Sequence, residues 1–160
     1  MELSQFLIQA KQNIYASKEE SGVTFLDDGT KETIYTGDRF HYRDRSFGFN
    51  PFIGEQLVWE AGRLIWGMNY FGKAIEEMVP ASQVYTFLQQ ALYMARPDRP
   101  YRGPEYFRAG PFSYVDKSHG VLDDFTGEEV IYFRDQQVYH LVYHGGRIDA
   151  LEKSDRIDRI

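Results

Sequence analysis

Apolar and polar residues change period along this chain in the same order twice. Leu3, Phe6, Leu7, Ala10 and Ile14 recur at helical spacing. From about residue 33 the period falls to two, which predicts strands near 33–46, 53–60 and 63–71. A second helical stripe, Val84, Phe87, Leu88, Ala91 and Ala95, opens after Pro80 and Ser82 and stops before Pro97 and Pro100. Three more alternating runs follow near 105–117, 127–134 and 137–144. Ala61-Gly62 and Asp135-Gln136 separate the last two strands of each set, so both pairs read as hairpins. The polar stretch 16–30 and the proline-bearing stretch 96–103 read as connections.

The two sets also match residue by residue. Phe40, Tyr42, Asp44, Ser46 and Gly48 reappear 72 positions later as Phe112, Tyr114, Asp116, Ser118 and Gly120. After a one-residue insertion the offset becomes 73. Phe52, Gly54 and Glu55 then match Phe125, Gly127 and Glu128, and Tyr70 and Gly72 match Tyr143 and Gly145. Ordered identities with a single gap point to an internal duplication. The expected fold is therefore α+β: an internally duplicated α-β-β-β unit forming one antiparallel sheet, with two helices packed on one face. Residues 1–150 are expected to form a single domain, with pseudo-repeats at about 1–75 and 76–150, followed by a charged C-terminal tail at 151–160.

Composition narrows the chemistry. The 160 residues suffice for one core without staples. No cysteine is present, which excludes disulfides, thiolate catalysis and cysteine metal sites from this chain. The net charge is −6, and the arginines at 39, 43 and 45 are interleaved with Asp38 and Asp44, so no direct nucleic-acid binding is expected. The first ten residues carry Glu2 and no basic stretch, and no apolar run approaches the roughly 18 residues of a bilayer span. A cytoplasmic setting without membrane contact is the expectation. His140 and His144 are four apart on a strand with no third ligand nearby, so neither a metal nor a cofactor is expected.

Aromatics are abundant, with 12 Tyr, 12 Phe and 2 Trp. Strand alternation places many of them on one face. That face collects Tyr42, Asp44, Trp66 and Tyr70 from the first set, and Tyr114, Asp116, Tyr139 and Tyr143 from the second. Glu55, Leu57 and Trp59, and likewise Glu128, Val130 and Tyr132, are assigned to the same face. The result is an aromatic and acidic cleft between the repeats. Carboxylates beside aromatic rings suit an organic cation, through charge pairing and cation–π attraction. The same residues also fit a structural role, with the rings in the core and the acids satisfying backbone amides.

The runs Tyr42-Arg43-Asp44-Arg45, Gly54-Glu55, Ile65-Trp66-Gly67-Met68-Asn69-Tyr70, Tyr101-Arg102-Gly103-Pro104 and Tyr143-His144-Gly145-Gly146 resemble an uncharacterised bacterial domain family. Its members occur alone or behind XRE-type helix-turn-helix regulators. The resemblance spans about residues 3 to 148 and implies a bacterial, cytoplasmic and regulatory setting, with no activity to carry over. With one helix before the first strands, the implied form is free-standing. A weaker topological analogy links the duplicated unit to gyrase-inhibitory-protein-like ligand-binding domains, which hold lipophilic or cationic compounds in an aromatic cleft.

Three functions remain open on the residues alone. The first is a sensor or sequestering module for a partly apolar small molecule, an organic cation included, held by the ten residues Tyr42, Asp44, Glu55, Trp66, Tyr70, Tyr114, Asp116, Glu128, Tyr139 and Tyr143. The second is a protein-interaction module or homodimer using Phe47, Phe49 and Phe52. The third is a hydrolase with Glu55 or Glu128 as general base.

Overall fold

A computed structural model of the chain describes residues 1–16 and 22–149. The expected charged tail at 151–160 and positions 17–21 of the first connection lie outside the described residues. The chain runs α1 (Leu3–Tyr15), β1 (Val23–Phe25), β2 (Lys31–Gly37), β3 (Phe40–Gly48), β4 (Phe52–Glu60) and β5 (Arg63–Ala74). It continues through α2 (Ala81–Tyr93), β6 (Tyr106–Ala109), β7 (Phe112–Val121), β8 (Asp124–Phe133) and β9 (Gln136–Arg147).

Among the described residues the strands form one nine-stranded sheet, ordered β1-β2-β3-β4-β5-β9-β8-β7-β6. Every neighbouring pair is antiparallel. The middle of the sheet joins β5 to β9, with Tyr70 directly opposite Tyr143.

The count exceeds the six expected strands for a local reason. The run 33–46 is two strands, turned at Asp38-Arg39, where Asp38 has φ 54°. The run 105–117 is likewise two, turned at Gly110-Pro111, where Gly110 has φ 58°. Gly37-Asp38 is a turn signal, but its polar neighbours also fit the solvent side of one long strand. β1 falls inside the expected 16–30 connection. The hairpin turns are Ala61-Gly62 and Arg134-Asp135, all four residues at positive φ, as tight two-residue turns require. The second of these lies one residue before the expected position.

Both helices bury the stripes that predict them. Phe6, Leu7 and Ala10 of α1 and Val84, Phe87, Leu88 and Ala91 of α2 join one core cluster with Phe40, Tyr42, Trp66, Tyr114 and Tyr139 of the sheet. The Glu76 carboxylate, Oε1, accepts the Ala81 amide at 2.9 Å, so a side chain from outside α2 satisfies one of its free N–H groups. One sheet face is thus covered by two helices, and the other is open.

The face assignment needs one correction. Cross-strand partners share a face, and Asp44 lies opposite Gln56 while Asp116 lies opposite Glu129. Gln56 and Glu129 therefore point under the helices. Glu55, Leu57 and Trp59, with Glu128, Val130 and Tyr132, fall on the open face. Turn length decides this. Gly48 pairs with Phe52 across three residues, whereas Val121 pairs with Asp124 across two. A shift of one residue exchanges the faces of a strand.

Candidate ligand-binding site

The helix-covered face carries a layer of polar side chains inside the aromatic core. In the first half it centres on Asp44. Its Oδ1 accepts from the Tyr70 hydroxyl at 2.6 Å, and its Oδ2 from Gln56 Nε2 at 3.1 Å and the Tyr42 hydroxyl at 3.4 Å. Gln56 Oε1 in turn accepts from Lys11 Nζ of α1 at 3.3 Å. Lys11 is 1% exposed, and burial, with Arg102 adding repulsion, brings its pKa down to about 7. Burial raises the Asp44 pKa, against the pull of its donors and of Arg102.

In the second half the layer centres on Glu129, which is fully buried. Arg102 grips it with two bonds, Nε to Oε2 at 3.1 Å and Nη2 to Oε1 at 2.6 Å. The hydroxyls of Tyr114 and Tyr139 donate to the same carboxylate at 2.6 and 2.8 Å. Burial raises the pKa of both phenols well above the ordinary range, with Glu129 adding to it, so they stay protonated and keep donating. Arg102 also lies over the Tyr70 ring at 5.2 Å, linking the two halves.

Asp116 forms a third group. Its Oδ1 accepts from the Tyr143 hydroxyl at 2.8 Å, and Arg99 Nη2 lies 3.6 Å from its Oδ2. Burial, then the charge of Glu129, pushes its pKa up to about 7. A side chain at Gly54 or Gly127 would collide with the Tyr70 or Tyr143 phenol. Glycine on the neighbouring strand is what lets each ring lie across it and reach its acid.

A cavity of about 340 Å³ opens beside Asp44, between α2, the β3–β4 turn and β5. Asp44, Tyr70 and Arg102 line it together with Ser46, Phe49, Phe52 and Tyr85. Tyr15, Leu88 and Leu92 add apolar surface, and Lys31, Ser82, Thr86 and Gln89 add polar surface. The Tyr85 hydroxyl donates to the Phe49 carbonyl at 2.8 Å, and Asn50 exchanges two hydrogen bonds with the Ala74 backbone. The turn that walls the cavity is thereby tied to α2 and to the end of β5.

Residues 44–148 match the sequence profile of a family described as a domain of unknown function, DUF5680. This chain belongs to that family. The matched span of the DUF5680 domain opens at Asp44 and takes in Gln56, Tyr70, Arg102, Tyr114, Asp116, Glu129, Tyr139 and Tyr143, which is most of the polar layer. Lys11, Tyr15, Lys31 and Tyr42 precede it. No curated protein and no solved structure matches the chain.

Of the ten residues singled out in the sequence, the DUF5680 structure brings seven into the layer: Tyr42, Asp44, Tyr70, Tyr114, Asp116, Tyr139 and Tyr143. Trp66 is fully buried on the same face, where its Nε1 donates to the Leu122 carbonyl at 3.0 Å and its ring stacks on Phe125. Glu55 and Glu128 are instead on the open face. Their side chains are 40% and 51% exposed, beside Arg43 and His140 respectively. The layer residues not singled out are Lys11, Gln56, Arg99, Arg102 and Glu129. Gln56 and Glu129 are the immediate neighbours of the chosen acids, so a correct turn length would have selected them. Lys11 falls between the apolar positions of its helix, and Arg102 reads as a turn residue. Among the described residues no cluster of three or more metal-ligating side chains occurs, and no helix is long and apolar enough to cross a membrane.

Proposed function

We propose that this chain is a small-molecule binding module, a sensor or sequestering protein, whose ligand is partly apolar and positively charged. The carrying observation is the cavity of about 340 Å³, in which, among the described residues, Asp44 is the one lining acid, set among aromatic walls from Tyr15, Phe49, Phe52, Tyr70 and Tyr85. The volume falls within the range of small-ligand sites, and the mix of apolar wall with a few fixed polar groups is their usual composition. A cation on Asp44 would replace the solvation that burial has removed. Binding should therefore tighten as pH rises through the raised Asp44 pKa, since only the carboxylate attracts the ligand.

The test is a thermal-shift series with organic ammonium and guanidinium compounds. A ligand at about 100 times its Kd adds about 2.7 kcal/mol of stability, a rise of several degrees for a chain of this size. Asp44→Asn keeps the side-chain volume and is expected to remove the rise. No shift with any organic cation would end this reading. The matched halves support a duplicated origin, and the family resemblance supports a bacterial, cytoplasmic setting alongside XRE-type regulators. Both belong to the same proposal, as does the absence of direct nucleic-acid and membrane contact.

One observation favours a second reading, a homodimer. On the open face Phe47, Ile53, Phe71 and Val142 lie directly opposite one another across four strands, each about half exposed. A continuous apolar row of this kind is typical of an interaction surface. A second copy would cover it symmetrically. The expected result is a concentration-dependent mass in sedimentation equilibrium that Ile53→Arg abolishes. A monomer at every concentration would remove this reading and leave the ligand reading intact.

A further inference from the structure

The cavity residues Asp44, Ser46, Gly48, Phe52 and Tyr70 correspond in the sequence match to Asp116, Ser118, Gly120, Phe125 and Tyr143. The two sets have the same local geometry. Ser46 lies opposite Gly54 and Ser118 opposite Gly127, while Gly48 lies opposite Phe52 and Gly120 opposite Phe125. Gly54 and Gly127 then face Tyr70 and Tyr143 on the next strand. Gly48 and Gly120 both have positive φ, 81° and 98°. The tyrosine donates to the acid in each, at 2.6 and 2.8 Å.

In the second set this surface is covered by the chain's own connection between α2 and β6. Arg99 Nη2 donates to the Ser118 hydroxyl and to the Asp116 carbonyl, both at 3.0 Å, and stands 3.6 Å from Asp116 Oδ2. Two residues on, the Tyr101 ring stacks on Phe125 with centroids 4.2 Å apart and planes 26° apart. A guanidinium is thus bonded to the serine hydroxyl and to the backbone carbonyl of the acid, with the carboxylate at ion-pair distance, and an aromatic ring sits on the phenylalanine. In the first set the matching acid, serine, glycine, phenylalanine and tyrosine line the cavity instead.

We propose that the cavity beside Asp44 binds a guanidinium-bearing ligand with an attached aromatic or apolar group, in the manner that Arg99-Pro100-Tyr101 occupies the matching surface of the other half. The guanidinium would bond Ser46 Oγ and the Asp44 carboxylate, and the apolar group would stack on Phe52. A planar fork of N–H donors suits this acceptor set better than an ammonium, because it can reach the serine and the acid at once. Arg102, which also lines the cavity, is already paired with Glu129. Among the described residues that line the cavity Asp44 is the acid, so it carries the attraction. This inference rests on the cavity being the ligand site.

The chemistry could come from a small metabolite or from an arginine in a peptide, so the test uses both. Isothermal titration of the full chain would compare phenethylguanidine, phenethylammonium, phenethylurea and the peptide acetyl-Arg-Pro-Tyr-amide. The expected result is guanidine binding about tenfold tighter than the ammonium, as two charge-assisted bonds replace one, with no binding of the urea. Peptide binding at least as tight as phenethylguanidine would assign the source to a peptide, and tighter phenethylguanidine would assign it to a small molecule. An ammonium that binds as well as the guanidine overturns the inference while the cation-binding reading stands. Failure of every cation removes both. Asp44→Asn and, at a partly exposed position that spares the core, Ser46→Ala are each expected to weaken the guanidine several-fold. Unchanged affinity in the Ser46 variant also overturns the inference.

Discussion

Glu129→Ala is expected to lower the unfolding free energy by about 3–5 kcal/mol, the usual cost of stranding a buried charge. The Arg102 side chain is 4% exposed and that of Glu129 is fully buried, so the guanidinium stays out of bulk solvent when the carboxylate is removed. The loss is compounded because the Tyr114 and Tyr139 hydroxyls donate to the same group and lose their acceptor together. Glu129→Gln keeps the volume and one acceptor oxygen but leaves the guanidinium charge unbalanced, so an intermediate loss is expected. Removing both partners, as Glu129→Met with Arg102→Leu, should recover part of the stability, since two apolar side chains need no pairing, while the Tyr114 and Tyr139 hydroxyls still lack their acceptor. Urea denaturation of the four proteins measures all of this. A loss below about 1 kcal/mol for Glu129→Ala, the range of exposed pairs, would mean that the layer is open to solvent and the pair is not a fastening of the core.

The second large effect lies in the pH dependence of stability. Lys11 binds its proton up to an ordinary pKa of 10.5 when unfolded but only to about 7 when folded. Between pH 7 and 10 the unfolded chain holds more protons, so stability rises with pH, by at most about 1.4 kcal/mol per unit. Asp116 acts on the other side. Its pKa is about 7 folded against an ordinary 3.8, so between pH 4 and 7 the folded chain holds more protons and stability falls as pH rises. Asp44, also raised, adds to that fall. The two trends meet in a minimum near pH 7. Above pH 10 the tyrosines with raised pKa values reverse the rise, because the unfolded chain loses those protons first. Lys11→Met should abolish the rise between pH 7 and 10. It should also stabilise the chain at pH 6, by about 1–3 kcal/mol, because an apolar side chain of similar length removes a buried charge held, among the described residues, by one hydrogen bond. Tm measured from pH 4 to 10 tests both. A wild-type profile that is flat from pH 7 to 10 would show that Lys11 reaches water.

Two of the corrections share a cause. Glu55 and Glu128 are acids of both halves, each following a strand glycine, and they look equivalent to their neighbours Gln56 and Glu129 in any reading that sees only composition. Which member of each pair faces the helices follows from counting turn residues, three after Gly48 and two after Val121. A strand reverses its faces with a shift of one residue, so a small ambiguity in the turn becomes a complete exchange of inside and outside. The strands at 33–46 and 105–117 were ambiguous in a similar way, since a tight turn with polar residues looks like the wet side of a longer strand.

What the sequence determined by itself was local. Helical stripes at residues 3–14 and 84–95, alternation along the strands, and hairpin turns at 61–62 and, to within one residue, at 135–136 follow from side-chain size, polarity and backbone preference over a few neighbours. Those rules also place Tyr42 with Asp44, and Tyr114 with Asp116, because two residues on one strand share a face. What only the tertiary structure decided was long-range. β5 meets β9 at the centre of the sheet, 73 positions apart, so that Tyr70 stands opposite Tyr143. Arg102 crosses 27 positions to grip Glu129, and Lys11 reaches Gln56 across 45. The cavity exists because α2 and the β3–β4 turn stand beside Asp44, while an arginine and a tyrosine cover the matching surface at Asp116. The charge on each buried group is set by the neighbours that folding brings to it and by the water that folding removes, and neither is a property of the residue's place in the chain.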